Sequence, residues 1–200
     1  EPEGWRLFVA VDVGEGLRRS VAAWQEGLRA LGLDARWVPP ANLHVTLRFL
    51  GEVPPSRVAA LVQAMEEAAR RQEPFVVSFE GVGAFPSWDR PRVVWIGVGR
   101  GREELTRLHR ELEEAFARRG FPREAGEPFH PHLTVARLRS TRGAAGLAVR
   151  AGEAPAFGSC RVEALHLVRS QLGPDGARYT PVAGAPLGAA SGWGGAKGAS

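Results

Sequence analysis

One short pattern occurs twice in this chain of 200 residues, as HVTL at positions 44–47 and as HLTV at positions 132–135. Both copies stand in stretches that alternate polar and apolar residues, which is typical of β-strands with one buried face. Side chains two residues apart on a strand share a face, so each histidine points the same way as its threonine. The pattern predicts two strands with a polar His-Thr face, and strict alternation assigns Phe49 to the opposite, core face.

The elements around the two copies repeat as well. An apolar strand over 5–13 and an amphipathic helix precede the first copy, and a strand over 93–98 with a second amphipathic helix precedes the second. This order predicts two related lobes about a pseudo-twofold axis. If the lobes face each other, both histidines and both threonines converge on one polar cleft.

Four further segments have the character of strands. They lie at 36–38, 75–82, 159–169 and 178–182. The sequence QLGPDGA joins the last two and is predicted to form a hairpin turn.

Length and composition favour one globular unit. With 44% hydrophobic residues the chain can bury one sizeable core, and we expect a single bilobal domain over residues 1–183. Residues 184–200 are rich in Gly, Ala and Ser and are predicted to form a flexible tail. No apolar run approaches the length of a membrane span, and no signal peptide is recognised, so a soluble, cytoplasmic protein is expected.

The charge of the chain is compatible with a nucleic-acid partner. A net charge of +4 and a pI near 10.4 suit a polyanion without requiring one. Arginine accounts for nearly all of the basic residues; its guanidinium binds phosphate bidentately, although a genome-wide codon bias also produces this excess. The single cysteine, Cys160, cannot form a disulfide within the chain and is interpreted as a small buried residue rather than a nucleophile.

Two His-Thr pairs across one cleft suit phosphodiester chemistry. One imidazole can accept a proton from the attacking nucleophile while the other donates a proton to the leaving oxygen. Threonine hydroxyls can donate hydrogen bonds to the non-bridging phosphate oxygens. Because acid, base and phosphate donors are all side chains, neither a metal nor a cofactor is expected.

The remaining histidines leave an alternative open. His130 lies on the face of His132 by alternation, although a proline separates them, and is a further candidate to contact substrate. A zinc site built from His130, His132 and His44 stays an alternative, but no carboxylate or cysteine stands at a recognisable ligand spacing. His109 and His166 lie within apolar patterns and are expected to be structural.

The paired motifs HVTL and HLTV resemble those of the 2H phosphoesterases, and especially of the RNA 2′,3′-cyclic phosphodiesterases, also called the 2′-5′ RNA ligase family. The segments RLFVAVDV, RWVPPANLHVTLRFLGEV, GAFPSWDRPRVVWIGV, FHPHLTVAR and GPDGARY are similar to family segments in family order and cover about residues 5–182. The resemblance implies an α+β fold of two pseudo-twofold lobes, with two antiparallel sheets lining a central cleft and helices outside.

The resemblance also implies roles for individual residues. His44 and His132 would be catalytic, Thr46 and Thr134 would bind phosphate, and the family's arginine three residues after the second threonine corresponds to Arg137. Strict alternation would aim this arginine at the core, so a β-bulge is needed to redirect it. The implied reaction opens an RNA-terminal 2′,3′-cyclic phosphate with water to leave a 2′-phosphate. His44 would then be the proton donor and His132 the acceptor, although the near-symmetry of the motifs leaves this assignment open.

The expected partners are RNA 3′ ends that bear a 2′,3′-cyclic phosphate, tRNA fragments among them, with no membrane association and no obligate protein partner. Three alternatives remain: a 2′-5′ RNA ligase, a phosphodiesterase of another small cyclic nucleotide, and a non-enzymatic RNA-end binding protein. Turnover of matched substrates distinguishes them. Phe49, Phe129 and Trp88 are expected to pack in the core or anchor loops rather than to stack on RNA bases.

Overall fold

The computed structural model describes residues 3–188, which form nine strands and four α-helices. The strands are β1 (Trp5–Asp12), β2 (Ala35–Trp37), β3 (His44–Val53), β4 (Phe75–Phe85), β5 (Val93–Val98), β6 (His132–Leu138), β7 (Gly158–Val162), β8 (Ala164–Gly173) and β9 (Gly176–Pro186). The helices are α1 (Glu15–Arg29), α2 (Val58–Ala69), α3 (Arg102–Arg118) and α4 (Leu147–Gly152). None of these helices is long and apolar enough to cross a membrane.

The strands form two antiparallel sheets. The first has the order β3-β1-β8-β9 and the second the order β2-β6-β5-β4-β7. The two His-x-Thr strands therefore belong to different sheets, with β3 at an edge of the first and β6 inside the second, and they contact each other. The predicted α+β class with two antiparallel sheets is confirmed.

Each lobe is assembled from both halves of the chain. Strand β2 pairs with β6 in the second sheet, and β8 and β9 complete the first sheet beside β1. Helices α2 and α3 contact the first sheet, whereas α1 and α4 contact the second. The repeat in the sequence is thus a repeat of strand-helix-strand connections, and the lobes themselves form only when distant segments pair.

Strand β1 is buried on both faces. Leu7, Val9 and Val11 belong to the hydrophobic core, whereas Phe8 points to the opposite side and stacks on the ring of His44 at a centroid distance of 4.8 Å. The continuous apolar run of this strand therefore packs on both of its faces. One face closes the core, and the other forms the apolar floor on which a site residue lies.

Two segments near the C-terminus differ from the predictions. The single strand expected over 159–169 is two strands, because the chain passes from the second sheet to the first: β7 pairs with β4, and β8 pairs with β1. The predicted hairpin between β8 and β9 is present, with Gly173 paired to Gly176. Helix α4 was not predicted, since its six residues are too short to show a period.

The predicted start of the tail at residue 184 is corrected. Strand β9 continues through Pro186, which pairs with Ala164 of β8. Leu187 is buried, and its N–H donates to the carbonyl of Glu163 over 2.8 Å. Strand pairing and the burial of Ala185 and Leu187 hold this small-residue segment, and its Gly- and Ala-rich composition did not reveal the pairing. The remainder of the predicted tail, 189–200, lies outside the described residues.

Candidate active site

A cleft of about 1100 Å³ lies between the two sheets and is lined by both His-x-Thr strands. His44 and Thr46 enter it from β3, and His132 and Thr134 enter it from β6. The residues between them on each strand are buried in the core, as period-two alternation requires. The structure thus brings together the four residues that the repeated pattern singled out.

The two histidine rings are anchored in the same way. Nδ1 of His44 lies 2.6 Å from the carbonyl oxygen of Asn42, and Nδ1 of His132 lies 2.6 Å from the carbonyl oxygen of His130. A carbonyl oxygen can only accept, so Nδ1 carries the hydrogen in both rings. The Nε2 atom of each neutral ring therefore carries a lone pair and can accept a hydrogen.

The surroundings of the two Nε2 atoms differ. Thr46 Oγ1 lies 2.7 Å from Nε2 of His44 and donates its hydroxyl hydrogen to it. The ring of His44 also meets Tyr179 edge-on at 5.3 Å. Within residues 3–188, Nε2 of His132 has no hydrogen-bond partner, and its ring meets the edge of Phe85 at 5.2 Å. The two histidines are related by the repeat but are not chemically equivalent.

Both histidines favour the neutral form. Burial is the main cause that lowers the pKa of His44 and of His132, and the hydrogen bond to a backbone carbonyl opposes it in each case. The guanidinium of Arg137 lowers the pKa of both rings further. An anion bound between these groups would offset both effects and favour protonation.

Two β-bulges decide which side chains reach the cleft. The pairing of β3 with β1 skips Leu47, and the pairing of β6 with β5 skips Val135. An extra residue on one strand reverses the alternation beyond it. Arg137 is consequently exposed and lines the cleft. Phe49 also lines the cleft with 50% of its surface exposed, so its expected place on the core face is wrong.

A buried glutamine of α1 supports the bulge in β6. Gln25 donates through Nε2 to the carbonyl oxygens of Val135 and Val38, each over 3.0 Å. The N–H of Val38 donates to the same Val135 carbonyl. Sequence reasoning missed this residue, and a polar side chain on the apolar stripe of α1 was the available signal.

The bulge in β3 is held by a buried ion pair. The bulge places Arg48 at the inner wall of the cleft, and this residue is only 5% exposed. Its guanidinium pairs with Glu113 of α3 and donates to the carbonyl oxygens of Phe49 and Pro122. Neither member of the pair was expected from the sequence, because the register shift that buries Arg48 depends on the partner strand.

One group of side chains in the described part of the chain has the composition of a metal site. The ligand atoms of His109, Glu113 and Glu124 lie within 4.8 Å of one another. Arg48 already supplies positive charge there, since it pairs with Glu113 and lies 3.8 Å from Glu124. The group fits an internal ion pair better than a divalent cation. The zinc alternative is not supported by geometry, because His130, His132 and His44 form no such cluster among the described residues.

The other predicted residues divide between the cleft and the core. His130, His109 and Phe129 line the cleft, and the rings of His109 and Phe129 stack at 4.3 Å. His109 was expected to be structural, and its stacking on Phe129 places it in the wall of the cleft. Trp88 packs against the core as expected. His166 lines a smaller neighbouring cavity of about 300 Å³.

One cleft residue and the single cysteine remain to be described. Tyr179 of β9 lines it beside His44 and was not expected, although it belongs to the GPDGARY segment on which the family resemblance rests. Burial raises the pKa of the Cys160 thiol to about 11, which disfavours the thiolate. That direction agrees with its interpretation as an unreactive residue.

The family model of the 2′-5′ RNA ligase superfamily matches residues 15–174, a range that contains both His-x-Thr strands. The chain therefore belongs to that superfamily, and the resemblance inferred from the paired motifs is confirmed.

Individual relatives agree over nearly the whole chain. The RNA 2′,3′-cyclic phosphodiesterase of Methanothermobacter thermautotrophicus is 38% identical over 88% of this chain and 95% of its own length. That of Archaeoglobus fulgidus is 40% identical over 87% of this chain and 96% of its own length. Crystal structures of TT0787 of Thermus thermophilus and of Escherichia coli LigT complexed with 3′-AMP superpose with TM-scores of 0.76 and 0.73. Their identities are 31% and 30%, and they cover 91% and 92% of this chain and 97% and 98% of their own chains.

Proposed function

We propose that this protein hydrolyses 2′,3′-cyclic phosphates at RNA 3′ ends to 2′-phosphomonoesters, with His44 as proton donor, His132 as proton acceptor and no metal. One observation carries the proposal: two histidines, each with Nδ1 fixed on a backbone carbonyl, present Nε2 to one cleft that also holds two threonine hydroxyls and an arginine. The names of the relatives supply the substrate class.

The phosphate lies between the two strands. Thr46 and Thr134 donate to its non-bridging oxygens, and Arg137 offsets its negative charge from the rim of the cleft. Protonation of His44 at Nε2 removes the acceptor that Thr46 now uses. The hydroxyl hydrogen of Thr46 is then free to turn to the phosphate. The acid form of the histidine and the phosphate-binding form of the threonine therefore arise together.

His132 starts the reaction from the neutral state. Its unpartnered Nε2 takes a proton from water as the water oxygen forms a bond to phosphorus. The bond between phosphorus and O3′ breaks, its electron pair goes to O3′, and His44 delivers the proton that this oxygen needs. The 2′-phosphomonoester leaves, and proton exchange with solvent restores both rings.

Geometry supports His132 as the base: within residues 3–188 its Nε2 has no hydrogen-bond partner, whereas Nε2 of His44 accepts from Thr46. Burial lowers the pKa of both rings. His130 lies next to His132, with ring centroids 5.9 Å apart, and its charge adds to burial in lowering the pKa of His132. A ring kept neutral in this way is suited to accept a proton. Nδ1 of His130 is buried without a hydrogen-bond partner among the described protein atoms.

A defined substrate tests the proposal. The purified protein is incubated with a short RNA that ends in a 2′,3′-cyclic phosphate, and the position of the product phosphate is determined by chromatography against 2′- and 3′-phosphate standards. A 2′-phosphate is expected, at a rate that exhaustive chelation does not change. A 3′-phosphate would mean that the other bond breaks, and a loss of turnover restored by zinc would support the metal alternative. Binding without turnover would favour the RNA-end binding protein.

A further inference from the structure

Two arginines stand directly opposite each other at one edge of the second sheet. Arg36 of β2 is registered with Arg137 of β6, and both side chains are exposed. Residues paired in this way on antiparallel strands point to the same face. Arg137 lines the cleft, as does Val38, which lies two residues beyond Arg36 on the same face of the chain. Arg36 therefore extends the cleft face outward along the edge strand.

In the protein without a ligand, the closeness of these two positive charges destabilises the fold. The Cβ atoms of directly opposite residues are about 4.5 to 5.5 Å apart, and like charges at such positions are destabilising. Among residues 3–188, no carboxylate forms an ion pair with Arg36 or Arg137. The nearby Asp34 is already bound to Arg139 and Ser140. A bound anion would relieve the repulsion that the protein itself leaves uncompensated.

We propose that Arg36 forms a second phosphate site, which binds the phosphodiester one nucleotide upstream of the terminal cyclic phosphate. The inference rests on the proposed function, in which Arg137 binds the terminal phosphate. A guanidinium presents parallel N–H donors that match two phosphate oxygens. Adjacent arginines on neighbouring strands can thus bind successive phosphates of one RNA strand, which leaves the cleft over the edge strand β2.

The site makes the length of the RNA a determinant of specificity. A mononucleoside 2′,3′-cyclic phosphate carries only the terminal phosphate and cannot use Arg36. A dinucleotide with the same terminus carries the upstream phosphodiester as well. The substrate class is therefore RNA of at least two nucleotides, recognised through its backbone rather than through its bases.

Three substrates and two variants test the second phosphate site. The substrates are a mononucleoside 2′,3′-cyclic phosphate, a dinucleotide 2′,3′-cyclic phosphate, and the same dinucleotide with an uncharged methylphosphonate at the internal linkage. The variants are Arg36→Ala and, as a matched control, Arg161→Ala, which removes an exposed arginine from β7 at the opposite edge of the same sheet. Each combination is characterised by kcat/KM.

Arg36→Ala is expected to lower kcat/KM for the dinucleotide about 10- to 100-fold, the usual worth of a charge-assisted hydrogen bond. Its kcat/KM for the mononucleotide stays within about twofold of wild type, since no contact is lost. The methylphosphonate should impair the wild type to a similar extent but leave Arg36→Ala unaffected. Arg161→Ala should behave as wild type on all three substrates.

Equal losses of kcat/KM on both natural substrates in Arg36→Ala would overturn the inference. So would a methylphosphonate linkage that lowers the kcat/KM of Arg36→Ala as much as that of the wild type. A lower melting temperature for Arg36→Ala at low salt would also overturn it, because removing like-charge repulsion should not destabilise the fold. If the wild type hydrolyses no substrate, the proposed function has failed. The Kd values of the labelled dinucleotide and of its methylphosphonate analogue then test the second phosphate site. Arg36→Ala should weaken the binding of the dinucleotide and leave the binding of the analogue unchanged.

Discussion

Thr46 donates its hydroxyl hydrogen to Nε2 of His44 over 2.7 Å. This bond marks the neutral state of the ring, because a protonated Nε2 could not accept it. The corresponding Nε2 of His132 has no such donor within residues 3–188. A duplicated motif therefore yields one histidine whose protonation changes its hydrogen bonding and one that is ready to accept a proton.

The pH dependence of kcat/KM should be bell-shaped, with its maximum below pH 6.5, the ordinary pKa of histidine. The acid must be protonated, so activity falls as the pH rises through its pKa, and the base must be neutral, so activity falls as the pH drops through its pKa. Burial lowers both pKa values. The measurement is kcat/KM across the pH range at constant ionic strength. A maximum clearly above neutral pH would contradict this account.

His44→Ala and His132→Ala should each lower turnover by about 10² to 10⁴-fold, the usual worth of a positioned acid or base. A cyclic phosphate with sulfur in place of O3′ needs no proton on its leaving group. This substrate should restore activity to His44→Ala but not to His132→Ala, which lacks the group that activates water. The rates of both variants on both substrates provide the check, and the reverse pattern would exchange the two roles.

Thr46→Val and Thr134→Val should each weaken transition-state binding by about 1 to 3 kcal/mol if a hydrogen bond to the charged phosphate is lost. Only Thr46→Val should also raise the pKa of its histidine, since it removes a donor to the neutral form of His44. Kinetics and NMR titration of the two imidazoles measure these effects separately. Wild-type turnover in both variants would remove the threonines from the site.

Arg48→Leu should reduce the free energy of unfolding by about 3 to 5 kcal/mol, because Glu113 is left as a buried, unpaired charge. Adding Glu113→Gln should recover much of the loss, since the amide is neutral and still accepts from the N–H of Glu124. Urea denaturation of the single and double variants measures both changes. The exposed pair of Arg71 and Glu111 is the matched control: Arg71→Leu should cost no more than about 1 kcal/mol. A loss of the same size in the control would show that burial is not the cause.

The sequence alone determined the features that depend only on residues close together in the chain. Period-two alternation located β3 and β6 and placed each histidine on the face of its threonine, and the repeated order of elements indicated one cleft. Family-like segments supported the functions of His44, Thr46, His132 and Thr134. The predicted strand positions and side-chain directions held because the direction of a side chain follows from local backbone geometry, whereas the functions of these residues stay predictions.

Tertiary structure decided everything that depends on which strands pair and in which register. The bulges at Leu47 and Val135 turn Phe49 and Arg137 into the cleft, and they exist only relative to partner strands. Gln25 supports one bulge from 110 positions away in the chain. The same pairing brings together residues that no local pattern connects, such as Arg36 and Arg137. Local sequence sets the period of a strand, but the register between strands follows from packing and hydrogen bonding of the whole chain, so these positions became visible only in the folded protein.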